Sequence, residues 1–144
     1  MQLTQYTDYS LRVLVYLNVK HDGKTTISEL ADFYGISRNH LVKVVHHLAQ
    51  ANFIHTQRGK NGGISLARSA TLIRIGDVVR STEPNFDLAE CFNRDKNTCI
   101  LAPDCNLKTI LYEANRAFLD VLDRYTIADT KSTLKLWQII NVMQ

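Results

Sequence analysis

Two short amphipathic segments, separated by one glycine-containing turn, constrain the fold of this chain most strongly. The segment 26–29, Thr-Ile-Ser-Glu, has the spacing of a capping box and predicts the start of a helix that runs through Tyr34. Gly35 is expected to end this helix, and Ser37 is expected to cap the next one. The second segment is apolar at helical spacing, at Leu41, Val44, Val45, Leu48 and Ala49. The order helix, turn, helix predicts a helix-turn-helix.

The register of the second helix leaves a polar side facing away from the core. With the apolar positions turned inward, the residues near its start and middle that remain outside are Arg38, Asn39, His40, Lys43 and His46. A recognition helix uses these positions to reach base edges in the major groove of DNA. The sequence therefore predicts a base-reading surface at this end of the helix.

A basic hairpin is predicted directly after this helix. Phe53–Thr56 and Ile64–Ala67 are short strand-like runs, and a glycine-rich tip separates them. Arg58 and Lys60 stand at the root of the tip. Ordinary exposed turns also carry Lys and Arg, but the position after a helix pair favours a wing that contacts the DNA backbone or the minor groove.

Charge is divided unevenly along the 144 residues, whose formal net charge is +3. Residues 1–80 carry ten Lys and Arg against five Asp and Glu, whereas residues 81–144 carry seven against nine. Between Asp32 and Asp77 there is no acidic residue at all. Such a block indicates an anionic partner, of which nucleic acid is the simplest, although a solvated basic face is the alternative.

All three cysteines of the chain, Cys91, Cys99 and Cys105, fall within one polar segment. An odd set cannot be fully consumed by internal disulfides, and the surrounding Asn, Asp, Lys and Arg residues do not make a buried core. Three thiols this close together in the sequence are typical of a soft-metal site or an iron–sulfur cluster. A redox disulfide between two of them and a zinc site are the alternatives; zinc would want a fourth ligand, and no histidine follows His55.

An iron–sulfur cluster accepts irregular cysteine spacing, because each thiolate can bind a different corner. Three cysteines leave one iron for another ligand. Candidates within the loop are Glu90, Asp95 and Asp104, and Asp8 is a further candidate if the fold or a partner subunit brings the N-terminus close. Spacing alone does not choose among these carboxylates.

The remaining segments complete a mainly α fold with a small β-hairpin. We expect a first helix over Tyr9–Lys20, capped by Thr7 and Asp8, and a short helix over Ile75–Thr82. An apolar stripe predicts a helix of about 20 residues from Asn106, and a last short helix is expected over 130–140. The stripe can pack on its own domain or on a second copy, and dimerisation is favoured.

This pattern predicts three parts: a winged helix-turn-helix DNA-binding domain over 1–82, a cysteine-containing loop over 83–105, and a dimerisation helix with a C-terminal helix over 106–144. The sequence contains no run of 18 apolar residues and no signal-peptide pattern at its start, so we expect a cytoplasmic protein with reduced thiols. No nucleophile–base motif, phosphate-binding glycine loop or H-E-x-x-H segment occurs, and we do not expect an enzyme.

The chain resembles the NsrR-type repressors, which belong with IscR to a family of dimeric, iron–sulfur, winged-helix transcription regulators. The resemblance rests on MQLTQYTDYSLRVLVYL, YGISRNHLVKVVHHL, RGKNGGI, and IRIGDVVR before the three-cysteine loop, and it covers nearly the whole chain. It implies a repressor in which a 2Fe–2S or 4Fe–4S cluster senses nitric oxide, and nitrosylation or loss of the cluster releases a pseudo-palindromic operator. A winged-helix regulator that depends on a disulfide or on zinc is the alternative.

Carried over residue by residue, the resemblance makes Cys91, Cys99 and Cys105 the cluster ligands. Asp8 matches a position that supplies the fourth ligand from the other subunit, and a helix N-cap is its alternative role. Arg58 would enter the minor groove. The positions that match the reading end of the recognition helix are Ser37, Arg38, Asn39, His40 and Lys43. The first cysteine gap, seven residues, is longer than in several relatives, which leaves the cluster type open.

Overall fold

The computed structural model describes residues 2–20, 24–59 and 62–130. Its helices and strands are α1 (Gln5–Val19), α2 (Ile27–Tyr34), α3 (Arg38–Gln50), β1 (Ile54–Gln57), β2 (Gly63–Leu66), α4 (Ile75–Thr82) and α5 (Asn106–Asp123). Short 3₁₀ turns lie at Ala70–Leu72, Glu90–Phe92, Ala102–Asp104 and Ile127–Thr130. The predicted fold class, mainly α with a small hairpin, is confirmed.

The helix-turn-helix forms as its capping residues predict. Thr26 accepts a hydrogen bond from the backbone of Glu29, while the Glu29 side chain accepts from the backbone of Thr26, so the capping box at the start of α2 is complete. Gly35 ends α2 in the left-handed region, at φ 64°, where a residue without Cβ is not strained. Ser37 then caps α3 by accepting from the backbone of His40.

The core of the described residues is built around α1. This helix packs against both α3 and α4. The inward face of α3 is buried as predicted, with Leu41, Val44 and Leu48 fully covered and Val45 nearly so. Val13 and Leu14 of α1 belong to the same buried cluster. The burial of this apolar stripe fixes which side of α3 faces solvent.

The predicted start of α1 is wrong by four residues, and the predicted caps are wrong as well. The helix begins at Gln5, and its N-cap is Thr4, which accepts a hydrogen bond from the backbone of Thr7. Asp8 lies in the first turn of the helix, where a carboxylate is favoured by the helix dipole. Thr7 is fully buried, and its hydroxyl lies 2.9 Å from that of Thr82 in α4. A polar contact between residues so distant in sequence supports the earlier start.

The hairpin forms within one residue of the predicted bounds. β1 and β2 pair antiparallel, with Ile54 opposite Leu66 and Gln57 opposite Gly63. An isolated bridge between Thr25 and Ile64 joins β2 to the segment before α2. The hairpin is therefore held beside the helix-turn-helix at its base.

α4 and α5 bracket the cysteine-containing segment and are clamped together. The Arg80 guanidinium donates to both carboxylate oxygens of Asp123, at 2.6 and 2.5 Å. Gly76 permits the close approach, because a Cβ there would lie 1.9 Å from a carboxylate oxygen of Asp123. The helix predicted over Ile75–Thr82 is confirmed.

α5 has 18 residues, close to the expected 20, and is about 27 Å long. Much of its predicted apolar stripe is exposed: Leu107, Ile110, Val121 and, just beyond the helix, Tyr125. Except for Thr130, the expected last helix over 130–140 lies outside the described residues. Within the part of the chain that the structure covers, no helix is long and apolar enough to span a membrane.

Candidate DNA interface and cysteine-containing loop

The predicted base-reading residues all lie on the solvent-facing side of α3, the predicted recognition helix. Exposed positions in and just before its first two turns are Ser37, Arg38, Asn39, His40 and Lys43. The buried stripe on the opposite side forces this orientation. The structure thus brings these residues together on one accessible face, and their contacts with bases stay predictions.

Three of these residues also contact other parts of their own chain. The Ser37 hydroxyl accepts from the backbone of His40 at 3.3 Å, which satisfies a free N–H at the start of α3. The His40 ring lies 6.3 Å from the ring of Tyr9 in α1. Lys43 keeps its side chain exposed, while its carbonyl accepts from the Tyr6 hydroxyl at 3.2 Å. The reading face is therefore braced from behind by α1.

Arg58 follows β1 and begins the turn of the hairpin, with its side chain exposed. Gly59 takes a positive φ of 104° at the next position. The hairpin thus follows α3 in the chain and carries an exposed cation at its turn, as expected of a wing. Lys60, the second predicted wing residue, lies outside the described residues.

The three cysteines are all free thiols, and all are half-buried. Cys91 lies in the 3₁₀ turn Glu90–Phe92, Cys99 precedes the turn Ala102–Asp104, and Cys105 is the residue before α5. Among residues 2–20, 24–59 and 62–130, no three His, Cys, Asp or Glu side chains are grouped so that they could hold a metal ion. The donor set is present in one loop, but this conformation does not assemble it.

Asp8 forms an ion pair with Arg12 one turn further along α1, at 2.8 Å. Both side chains remain roughly half exposed, at 43% and 46%. Arg12 also lies over the ring of Tyr34, 5.9 Å from its centroid. Burial raises the pKa of the Tyr34 phenol to about 12, so the phenol stays protonated and donates to the Arg12 carbonyl. The carboxylate of Asp8, the predicted fourth ligand, is thus paired with the Arg12 guanidinium of its own helix.

The cysteine-containing loop, residues 83–105, is attached to α5 by two contacts. The ring of Phe92 stacks on that of Tyr112, with centroids 4.2 Å apart and planes 19° from parallel. The Asn115 amide donates to the Phe86 carbonyl at 2.9 Å. Both contacts join the loop to the helix that carries the exposed apolar stripe. The position of the loop is therefore linked to that of α5.

Sequence reasoning missed several of these residues. Tyr112 stands off the apolar stripe of α5, and Phe92 directly follows Cys91; two aromatic residues in unexplained positions were the only available signal. Arg12 lies four residues after Asp8, and this spacing alone predicts a helical ion pair once both are placed in one helix. The misplaced start of α1 concealed it.

Comparison with known proteins identifies the family. A family model described as "Rrf2: Iron-dependent Transcriptional regulator" matches residues 3–132. The chain is 52% identical over 130 residues to the HTH-type transcriptional regulator NsrR of Bacillus licheniformis, covering 90% of this chain and 91% of the relative. It is 48% identical to the NsrR of Bacillus subtilis, covering 90% and 89%. Regulation of transcription is not an enzymatic role, and the expectation that the chain is not an enzyme agrees with these relatives.

Solved structures of similar fold are winged-helix regulators. The oxidised form of Staphylococcus aureus CymR is 24% identical, with a TM-score of 0.75, and the match covers 92% of this chain and 98% of that one. IscR of T. potens is 22% identical, with a TM-score of 0.68 and coverage of 90% and 85%. These likenesses show the fold. With the family model and the relatives of about 50% identity, they establish that the chain belongs to the Rrf2 family of DNA-binding transcriptional regulators, among its NsrR-type members.

Proposed function

We propose that the chain is an operator-binding repressor that senses nitric oxide through an iron–sulfur cluster held by Cys91, Cys99 and Cys105. The observation that carries this proposal is the presence, in one NsrR-like chain, of an exposed basic reading face and three free thiols in a single loop. The loop follows α4, which packs on the same central helix as α3. One molecule therefore contains both a DNA reader and a candidate sensor.

On DNA, α3 would enter the major groove with its exposed amino-terminal face toward the base edges. Arg38 and Lys43 supply cations, and Asn39 supplies an amide that can pair with a base edge. Arg58, at the hairpin turn, would reach the adjacent minor groove or the phosphate backbone. Lys60 is proposed to act beside it.

The donor set of the loop fits an iron–sulfur cluster. Three free, half-buried thiols lie within a segment that contains no histidine, and thiolates are the usual ligands of such clusters. When bound, the cluster supplies iron with which nitric oxide reacts. Since the described conformation does not gather the thiols, holding the group requires the loop to rearrange between its two ends.

Asp8 remains the proposed fourth ligand, from the partner subunit. For this role its carboxylate must leave the Arg12 guanidinium, which it contacts at 2.8 Å. Exposed ion pairs of this kind contribute only about 0.2–1 kcal/mol, so the exchange is not costly. The side chain is roughly half exposed and is therefore accessible to a second chain.

The repressor is proposed to act as a homodimer on a pseudo-palindromic operator. The side chains of Leu107 and Ile110 in α5 are 61% and 60% exposed. Such exposure of neighbouring large apolar side chains is unusual in a monomer. A second copy of the same helix would cover the stripe in a two-fold arrangement. Two recognition helices would then face two half-sites.

The state of the loop would change operator affinity through a coupling free energy between the two sites. With the thiols held together, the segment between α4 and α5 is fixed. With the thiols free, the loop is held by its contacts to the rest of the chain, such as the Phe92–Tyr112 stack on α5 and the Glu83–Thr4 hydrogen bonds. The proposed consequence is tight operator binding in the first state and release in the second.

Anaerobic purification tests the proposal. Visible absorption with iron and sulfide counts should reveal a cluster, and titration with nitric oxide should weaken binding to the operator of a relative. A colourless, iron-free protein after anaerobic reconstitution would contradict it.

Separate Cys→Ser variants distinguish a cluster from the alternative switches. Loss of any one of Cys91, Cys99 and Cys105 should impair cluster assembly. A disulfide switch would need only two of them and would survive one of the three substitutions. A zinc-dependent regulator would show stoichiometric zinc and no visible absorption.

A further inference from the structure

The last turn of α4 and the residue after it, Ser81–Glu83, form the root of the cysteine-containing loop. Thr82 is buried, and its hydroxyl meets that of Thr7 in α1 at 2.9 Å. The Glu83 carboxylate accepts from both the backbone N–H and the hydroxyl of Thr4, at 2.7 and 3.1 Å. The loop root is therefore bonded to the first turn of the central helix.

Ser81, the first residue of the loop root, reaches α3 itself. The Ser81 hydroxyl lies 2.9 Å from Nε2 of His47 in α3. This contact is a direct side-chain hydrogen bond between α3 and the loop root. His47 and Ser81 are both half-buried, so the bond is partly shielded from competing water.

α1 holds the same histidine from the other side. The Tyr6 ring meets the His47 ring edge to face, with centroids 5.7 Å apart and planes at 89°. The Tyr6 hydroxyl donates to the carbonyl of Lys43, one turn before His47 on α3. Lys43 belongs to the proposed reading face. His47 is thus located between the loop root, the central helix and the turn that presents Lys43.

The junction between the loop root and the rest of the loop has little conformational freedom. Pro84 directly follows Glu83 and has no N–H to continue α4. Glu83 itself is extended, at φ −80° and ψ 136°, as expected of a residue before proline. The junction thus contains no glycine and has one fixed φ, so that it offers few ways to absorb a change in the path of the following residues.

We propose that His47 is a positioning residue that links the state of the cysteine-containing loop to the angle of the recognition helix through Ser81. The inference rests on the proposed function, since it names how the loop acts on DNA binding. His47 does not contact DNA in this scheme. It holds the back of α3 in the orientation that presents Lys43.

The test compares operator affinity of cluster-loaded and cluster-free protein. In wild type the two affinities differ; Ser81→Ala and His47→Leu should each reduce their ratio by about fivefold, as expected for the loss of one shielded hydrogen bond. His47→Gln, whose amide nitrogen can take the place of Nε2, should retain the wild-type ratio. Thr71→Ala is the matched control, since it removes a 2.8 Å hydroxyl contact to Ser69 far from α3 and the loop.

Hydrogen–deuterium exchange on the cluster-free protein gives a readout that needs no cluster. Ser81→Ala should accelerate exchange of backbone amides in α3 and at the end of α4, and Thr71→Ala should not. Unchanged exchange, or a wild-type affinity ratio in both Ser81→Ala and His47→Leu, overturns the inference and leaves the proposed function intact. Equal affinities of the two forms of the wild type would remove the proposed function and this inference together.

Discussion

Arg58 is an exposed cation at the point where β1 ends and the hairpin turn begins. If the hairpin is a wing, Arg58→Ala should weaken operator binding by at least about 1 kcal/mol, because a cation is removed from the DNA contact. Fluorescence anisotropy with a labelled operator at physiological salt would measure the loss. Arg116→Ala, on the exposed side of α5, is the matched control. Equal affinities of Arg58→Ala and wild type would exclude the wing from DNA binding.

Asp123 gives the protein a defined response to acid. Hydrogen bonds from the Arg80 guanidinium hold the pKa of this carboxyl below the ordinary range of an aspartate. A pKa lowered by folding stabilises the protein above the unfolded pKa, and that contribution is lost as the pH falls through the lowered value. We therefore expect the free energy of unfolding to decrease on acidification below about pH 4.

Urea unfolding over a pH series would measure this response. Asp123→Asn should be less stable than wild type at neutral pH, and the difference should shrink in acid, where the wild-type carboxyl is protonated. Asp120→Asn, whose carboxylate is 3.9 Å from Arg116, is a control with a weaker pair. A pH dependence of Asp123→Asn identical to that of wild type would contradict the assignment.

At the scale of elements, α2 depends on its capping box. Thr26→Ala removes the hydroxyl that accepts from the backbone of Glu29 at 3.1 Å and should lower the free energy of unfolding by about 1 kcal/mol. Thr26→Ser keeps this hydroxyl and should stay near wild type. Chemical denaturation of the three proteins side by side would decide; a Thr26→Ala variant as stable as Thr26→Ser would mean that tertiary contacts alone hold the start of α2.

Elements with local signals were predicted well from the sequence. The turn between α2 and α3 follows from Gly35 and Ser37, and the inward face of α3 follows from the spacing of its apolar residues. The start of α1 was missed, although Thr4 is a local cap signal of the same kind as Ser37. Thr4 and Thr7 are both possible caps in the sequence, and the burial of Thr7 against Thr82, 75 residues away, is a contact that no local pattern reports.

The candidate site was predicted less completely than the fold. Residue type and spacing suffice to select the three cysteines and the exposed cations, since these follow from composition and helical period. The stack of Phe92 on Tyr112 and the contact of His47 with Ser81 were missed, because both join segments whose relative placement is set by the packing of α4, α5 and α1. Long-range placement is the part that a single sequence does not contain.

For the whole molecule, the exposed stripe of α5 predicts the oligomeric state. Ile110→Glu places a charge in the proposed interface, and burial of an unpaired charge is strongly unfavourable. We expect wild type to sediment as a dimer and Ile110→Glu as a monomer with weaker operator binding. Thr109→Glu, exposed beside the stripe, should remain dimeric. An Ile110→Glu variant that is still a dimer would place the interface elsewhere.

The clamp between α4 and α5 has a consequence for the loop that it brackets. Because Gly76 lets the Asp123 carboxylate reach Arg80, the last turn of α5 is fixed against α4, while Cys105 lies at the opposite end of this helix of about 27 Å. The separation of the two ends of the loop is therefore set during folding by this rigid helix, and the chain entropy lost in this way does not count against binding of the proposed cluster. The three thiols are held on one tether between two fixed anchors, and the length of the helix limits the paths by which they can meet, as a rigid base limits the arms of a chelator.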